Sequence, residues 1–126
     1  WDIERALALM TEDVTFRSPV VHKPYQGRDD VAVILHAVSR VFEDFRYDRE
    51  IGAESSPDHA LVFRARVGDR ELEGCDFLHV DEDGRIDEFF VMIRPLSGAL
   101  ALAEAMRAEL ENAPGQGQVS PPMSNS

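Results

Sequence analysis

Asp76 is the residue most able to do chemistry in this chain. Side chains alternate along residues 70–80, so Leu72, Gly74, Asp76, Leu78 and Val80 share one face, while Glu71, Glu73, Cys75, Phe77 and His79 share the other. A carboxylate among aliphatic neighbours is costly unless it is paired or protonated. Desolvation raises its pKa, which makes it a hydrogen-bond donor or a general acid near neutral pH. The alternative is a structural ion pair, with Arg94 as the cation. Arg94 closes the last apolar segment on the parity of Phe90 and Met92, where it also has the chemistry to hold an anionic ligand.

Other candidates surround this carboxyl. His22 lies in a loop, where an imidazole either serves as a base or is simply solvated. Tyr25 in the same loop either covers a ligand or packs on the following helix. Phe63, Leu78, Phe90 and Met92 are read as apolar pocket lining, with plain core as the alternative. The four histidines show no metal-ligand spacing, and one cysteine, Cys75, makes no thiolate zinc site, so no metal is expected. No cofactor is expected either: Gly27-Arg28-Asp29 lacks the glycines and lysine of a phosphate loop. Asp81-Glu82-Asp83-Gly84 superficially resembles a calcium loop, but its glycine comes two positions too early, which leaves a hairpin turn.

These residues must be positioned by one domain, since the chain has 126 residues. Its net charge of −11 argues against a nucleic-acid partner, and it has no basic cluster for an anionic membrane. No apolar run approaches the ~20 residues of a membrane helix. A single cysteine excludes an intramolecular disulfide and suits a reducing compartment, so a cytoplasmic location is expected.

Ile3, Ala6, Leu7 and Met10 recur at helical spacing and predict a helix ending near Thr11. Residues 14–18 predict a short strand stopped by Pro19, and residues 20–26 a loop. A second helix opens near Gly27, with Asp29 and Asp30 in its first turn and Val31, Ile34, Leu35, Val38, Phe42 and Phe45 on one stripe. Period-two patterning then predicts strands over 47–54, 59–67, 70–80 and 86–94, with hairpin turns at Gly68-Asp69 and 81–84. Ser97 is read as the N-cap of a final helix through Leu100, Ala103, Met106 and Leu110. Residues 112–126 are too poor in apolar side chains to offset their ordering entropy and are expected to be a disordered tail. Helices followed by a strand meander indicate an α+β class.

This pattern resembles the SnoaL-like branch of the NTF2-like superfamily over residues 1–111. The matching features are Ala8-Leu9-Met10-Thr11-Glu12-Asp13-Val14-Thr15-Phe16, Gly27-Arg28-Asp29-Asp30-Val31, Leu72-Glu73-Gly74-Cys75-Asp76, Asp83-Gly84-Arg85-Ile86 and Val91-Met92-Ile93-Arg94-Pro95-Leu96. The resemblance implies a cone-shaped fold: a curved antiparallel sheet packed on helices and enclosing a pocket. It also implies a small hydrophobic or polycyclic carbonyl ligand, and isomerase, cyclase or dehydratase chemistry of acid–base type. The superfamily equally contains non-catalytic ligand-binding and dimerisation modules.

Alignment to ketosteroid isomerases puts Asp76 where those enzymes keep a protonated aspartic acid in their oxyanion hole. Two departures stand against a standard isomerase. Ser18 occupies the position of the base aspartate, and a hydroxyl does not replace a carboxylate base. The chain begins at Trp1 without methionine, so the family's first helix, which carries a catalytic tyrosine in those isomerases, is expected to be missing. Residues 62–66 and 89–91 do not reproduce the Asp-Arg-Asp set of the superfamily's epoxide hydrolases. A homodimer is expected through an outer sheet face carrying Cys75, Phe77, Phe89, Val91 and Ile93.

Overall fold

In the computed structural model, residues 2–112 are described. They form α1 (Ile3–Ala8), β1 (Met10–Arg17), β2 (Tyr25–Gln26), α2 (Arg28–Val41), β3 (Glu43–Ile51), β4 (Asp58–Val67), β5 (Arg70–Val80), β6 (Ile86–Arg94) and α3 (Leu96–Asn112). The expected tail lies outside the described residues, except that Asn112 ends α3. None of the described helices is long and apolar enough to cross a membrane.

The strands form one curved, unclosed sheet in the order β2-β1-β6-β5-β4-β3. The α+β class and the helix-lined curved sheet are as expected. One pairing is not antiparallel: β1 runs parallel to β6, because it precedes the meander and docks on its last strand. The turns follow the sequence signals. Gly68, at φ 61°, lets Val67 pair with Arg70 across two residues. In the next turn the Asp81 carboxylate accepts the backbone N–H groups of Asp83 and Arg85, and Gly84 takes φ 79°. The acidic run is consumed by the turn itself.

The helices cover the concave face. Ile3 and Leu7 of α1, Val31, Ile34, Leu35 and Ala37 of α2, and Leu102 and Met106 of α3 meet Met10, Val14, Phe16, Phe63, Ala65, Leu72 and Phe89 of the sheet in one buried cluster.

Several boundaries differ from the sequence reading. The first helix stops at Ala8, and Met10, three residues after Leu7, is the first inward side chain of β1 rather than a helical one. Tyr25–Gln26, expected as loop, adds a short strand to β1. The second helix stops at Val41, and Phe42 turns extended at its C-cap (φ −71°, ψ 136°), so Phe45 belongs to β3. No glycine or proline announces that break. The final helix starts one residue before Ser97, with the Pro95 carbonyl accepting Gly98 and Ala99 N–H.

The most consequential difference is in β6. His79 pairs with Glu88 and Val80 with Ile86, so Asp87 is an extra residue bulged out of the ladder. A bulge of one residue reverses the facing of everything beyond it. Ile86 and Phe89 are therefore both buried, although three residues apart. Phe89, Val91 and Ile93 point inward, and Phe90, Met92 and Arg94 point outward. The expected assignment of this strand is thus inverted, for the pocket and for the outer face, which presents Cys75, Phe77, Phe90 and Met92 instead.

At the bulge, His79 Nδ1 lies 2.6 Å from Asp87 Oδ1. The hydrogen bond to Asp87 raises the His79 pKa, and the charges of Asp87, Asp58 and Glu88 add to it. A raised histidine pKa contributes stability that is complete below the ordinary value of about 6.5 and is lost as pH rises through the folded-state value. His79→Gln is expected to lower the melting temperature at pH 5.5, with the gap to the parent protein closing by pH 8.5.

Candidate functional site

The parity of β5 holds, and Asp76 faces inward at 4% exposure. It borders a cavity of about 50 Å³ between the sheet and the helices. Ile34, Leu35 and Val38 line it from α2, Leu102 and Met106 from α3, and Phe16, Phe63, Phe89, Val91 and Ile93 from the sheet. Phe42 and Phe45 close one side, and Ser18, Pro19 and Val20 another. Asp76 is the one ionisable group in this lining.

An aromatic cluster sets the geometry around it. The Phe63 ring stacks on Phe45 at 5.0 Å and meets Phe42 at 5.8 Å, and Tyr47 stands edge-on to Phe45 at 5.0 Å. Tyr47, Phe63 and Gly74 are successive cross-strand partners, with Asp76 two residues beyond Gly74 on the same face. From there the Tyr47 hydroxyl donates to Asp76 Oδ2 at 3.3 Å. Among the described residues, Asp76 Oδ1 has no hydrogen-bond partner.

Burial dominates the electrostatics. Desolvation pushes the Asp76 pKa up from 3.8 to about 7, and the Tyr47 hydrogen bond opposes that rise. Burial, then the neighbouring Asp76 carboxylate, raises the Tyr47 hydroxyl well above its usual range, so it is a neutral donor at physiological pH. Near neutrality Asp76 populates both forms, the condition under which one group serves as acid and base.

The other sequence candidates are placed as follows. Phe63 lines the cavity at 1% exposure. His22 is exposed in a surface cleft that shares Ser18, Pro19 and Val20 with the Asp76 cavity, and it does not itself line that cavity. Tyr25 is core, its ring stacked on Phe16 at 6.3 Å. Leu78 shares the inward face but packs beyond the cavity. The Asp87 bulge turns the remaining candidates outward: Phe90 stacks on Phe77 at 4.7 Å, and Met92 is 58% exposed. Arg94 pairs with Glu73 and not with Asp76.

Ser18 does reach the cavity, where its hydroxyl accepts the Val20 N–H at 3.1 Å. Tyr47 is the residue that sequence reasoning missed. Its signal was the same-face spacing of Phe45 and Tyr47, hidden by assigning Phe45 to the helix. Among the described residues, no group of three or more His, Cys, Asp or Glu is arranged to hold a metal ion.

Two outcomes follow from this packing. The native state keeps a proton on Asp76 that the unfolded chain has lost between pH 3.8 and about 7, so stability falls as pH rises through that window. At 1.36 kcal/mol per unit the ionised form costs about 4 kcal/mol, so in urea titrations Asp76→Asn should be more stable than the parent at pH 8, with the gain vanishing near pH 4. Gly74 leaves room for Phe63: a Cβ there would meet the ring at 2.5 Å and the Met92 carbonyl oxygen at 2.8 Å. Gly74→Ala should therefore lower unfolding free energy by about 1–3 kcal/mol through overpacking.

The fold has close counterparts. A family profile described as a SnoaL-like domain matches residues 2–89. A steroid delta-isomerase from Pseudomonas aeruginosa is 46% identical, with 87% of this chain and 80% of that chain covered at a TM-score of 0.82. An uncharacterised bacterial protein with a cystatin-like fold from Silicibacter pomeroyi is 39% identical, covering 88% and 77% at 0.83. An epoxide hydrolase/cyclase-like enzyme of pyran ring formation in the polyether salinomycin shares the fold at 15% identity, covering 75% and 80% at 0.60. No curated protein matches the chain. The fold is thus related to ketosteroid isomerases and cyclases, and the chain belongs to the SnoaL-like domain family of the NTF2-like superfamily.

Proposed function

We propose that the domain binds a small hydrophobic carbonyl compound in the Asp76 cavity and that Asp76 serves as the acid toward the carbonyl oxygen. The observation that carries this reading is a carboxyl 4% exposed, with one oxygen unpartnered among the described residues, in a lining that is aromatic and aliphatic apart from Ser18. In its protonated form such a group donates a strong hydrogen bond to an oxygen that becomes more negative as a carbonyl enolises. The 46% identity to a steroid delta-isomerase supports chemistry of this acid–base class.

Two features set limits on it. Ser18 borders the cavity where a carboxylate base would be needed, so while Asp76 holds its proton toward the carbonyl oxygen, abstraction of the α-proton falls to solvent. The cavity volume of about 50 Å³ is far below the about 300–1,000 Å³ of drug-sized ligand sites. That favours a single-ring ligand over a polycyclic one. A non-catalytic binding module is the second reading, favoured by the serine at position 18.

Cyclohexanone should raise the melting temperature of the parent protein and not of Asp76→Asn, since a ligand bound only by the native state stabilises it. In D₂O, NMR should show α-hydrogen exchange of the ketone accelerated by the parent alone. Binding without exchange would select the non-catalytic reading. No melting shift with either cyclohexanone or progesterone, or an equal shift in Asp76→Asn, would sink the carbonyl-acid role. A shift with progesterone alone would overturn the size argument.

A further inference from the structure

We propose that Tyr47 is a positioning residue that fixes the Asp76 proton on Oδ1, so that the cavity presents one O–H donor of set direction and selects ligands with a single acceptor oxygen. This rests on the reading of Asp76 as an acid and specifies how that acid is aimed.

The argument is geometric. A carboxylic acid has one hydroxyl and one carbonyl oxygen, and the carbonyl oxygen is the better acceptor. With the Tyr47 hydroxyl donating to Oδ2 at 3.3 Å, Oδ2 takes the role of the carbonyl oxygen and Oδ1 is the oxygen assigned the proton. Oδ1 has no partner among the described residues.

The donor is itself held. Tyr47 meets Phe45 at 5.0 Å and 88°, and Phe45 stacks on Phe63, so the ring that carries the hydroxyl is braced from the cavity side. No other titratable group faces the carboxyl within the lining: the sides from α2 and α3 are aliphatic, and the neighbouring Cys75 lies on the outer face of β5. Tyr47 is therefore the one described side chain that bonds either of the two oxygens. When Asp76 ionises, the same hydrogen bond becomes charge-assisted and strengthens. Removing it should make the acid weaker.

The test is a ¹³C-carboxyl NMR titration of Asp76 in the full chain, assigned with Asp76→Asn. Tyr47→Phe should raise the titration midpoint by about one pH unit, the size of one hydrogen bond to a charged group. Placing 3-fluorotyrosine at position 47 makes a stronger donor and should lower the midpoint, with the packing kept. This second variant carries the test if Tyr47→Phe does not fold. The pH profile of cyclohexanone exchange should move with the midpoint in each case. A raised parent midpoint that neither variant moves would overturn the role of Tyr47 and leave the acid reading standing. A parent midpoint near the ordinary ~3.9 would overturn both.

Discussion

The bulge at Asp87 decides what kind of residue Asp76 is. Without the extra residue, β6 would send Phe90, Met92 and Arg94 into the cone, and a guanidinium would arrive on the face of the buried carboxyl. A cation on that face would favour the ionised form of Asp76, and Phe90 and Met92 would take the place of the present walls. With the bulge, Arg94 goes outward to Glu73, and Phe89, Val91 and Ile93 supply apolar walls. The unusual proton affinity of Asp76 thus follows from a register event on the neighbouring strand, held at its base by the His79–Asp87 pair.

A second constraint is the space that Gly74 leaves open. Phe63 occupies the volume where a Cβ would sit, and its ring anchors Phe42 and Phe45. That cluster requires α2 to end at Val41, so that Phe42 and Phe45 can approach from an extended segment. The same early ending starts β3 soon enough to bring Tyr47 opposite Phe63. Cavity wall and hydrogen-bond donor share one local cause.

Much of this was legible in the sequence, for reasons that differ by residue. The strands from Asp58 to Arg94 were readable because their side chains alternate and their turns carry glycine at positive φ. The shared face of Leu72, Gly74 and Asp76 followed from the same alternation, and pairing with β4 and β6 turned that face inward. What escaped was whatever depends on pairing across strands. The bulge at Asp87 leaves no mark in the sequence, since Ile86-Asp87-Glu88-Phe89 reads equally well as a regular strand. The helix-to-strand switch at Phe42 was hidden because Phe42 and Phe45 fit a helical stripe as well as an aromatic strand. Four of the eight site candidates were placed outside the cavity by strand pairing: Phe90, Met92 and Arg94 by the bulge, and Tyr25 by a short edge strand that only pairing with β1 creates.

Tyr47 belongs to β3, the terminal strand of the sheet, and its side chain is half exposed while its hydroxyl reaches a group at the centre of the fold. Outer strands open to solvent more readily than central ones. Each opening of β3 withdraws from Asp76 both the Tyr47 hydroxyl and the Phe45 wall of the cavity, two changes that act on its proton affinity in opposite directions. The proton equilibrium of one interior oxygen therefore registers the integrity of the sheet's outermost strand, which makes a distant fraying event audible at the heart of the domain.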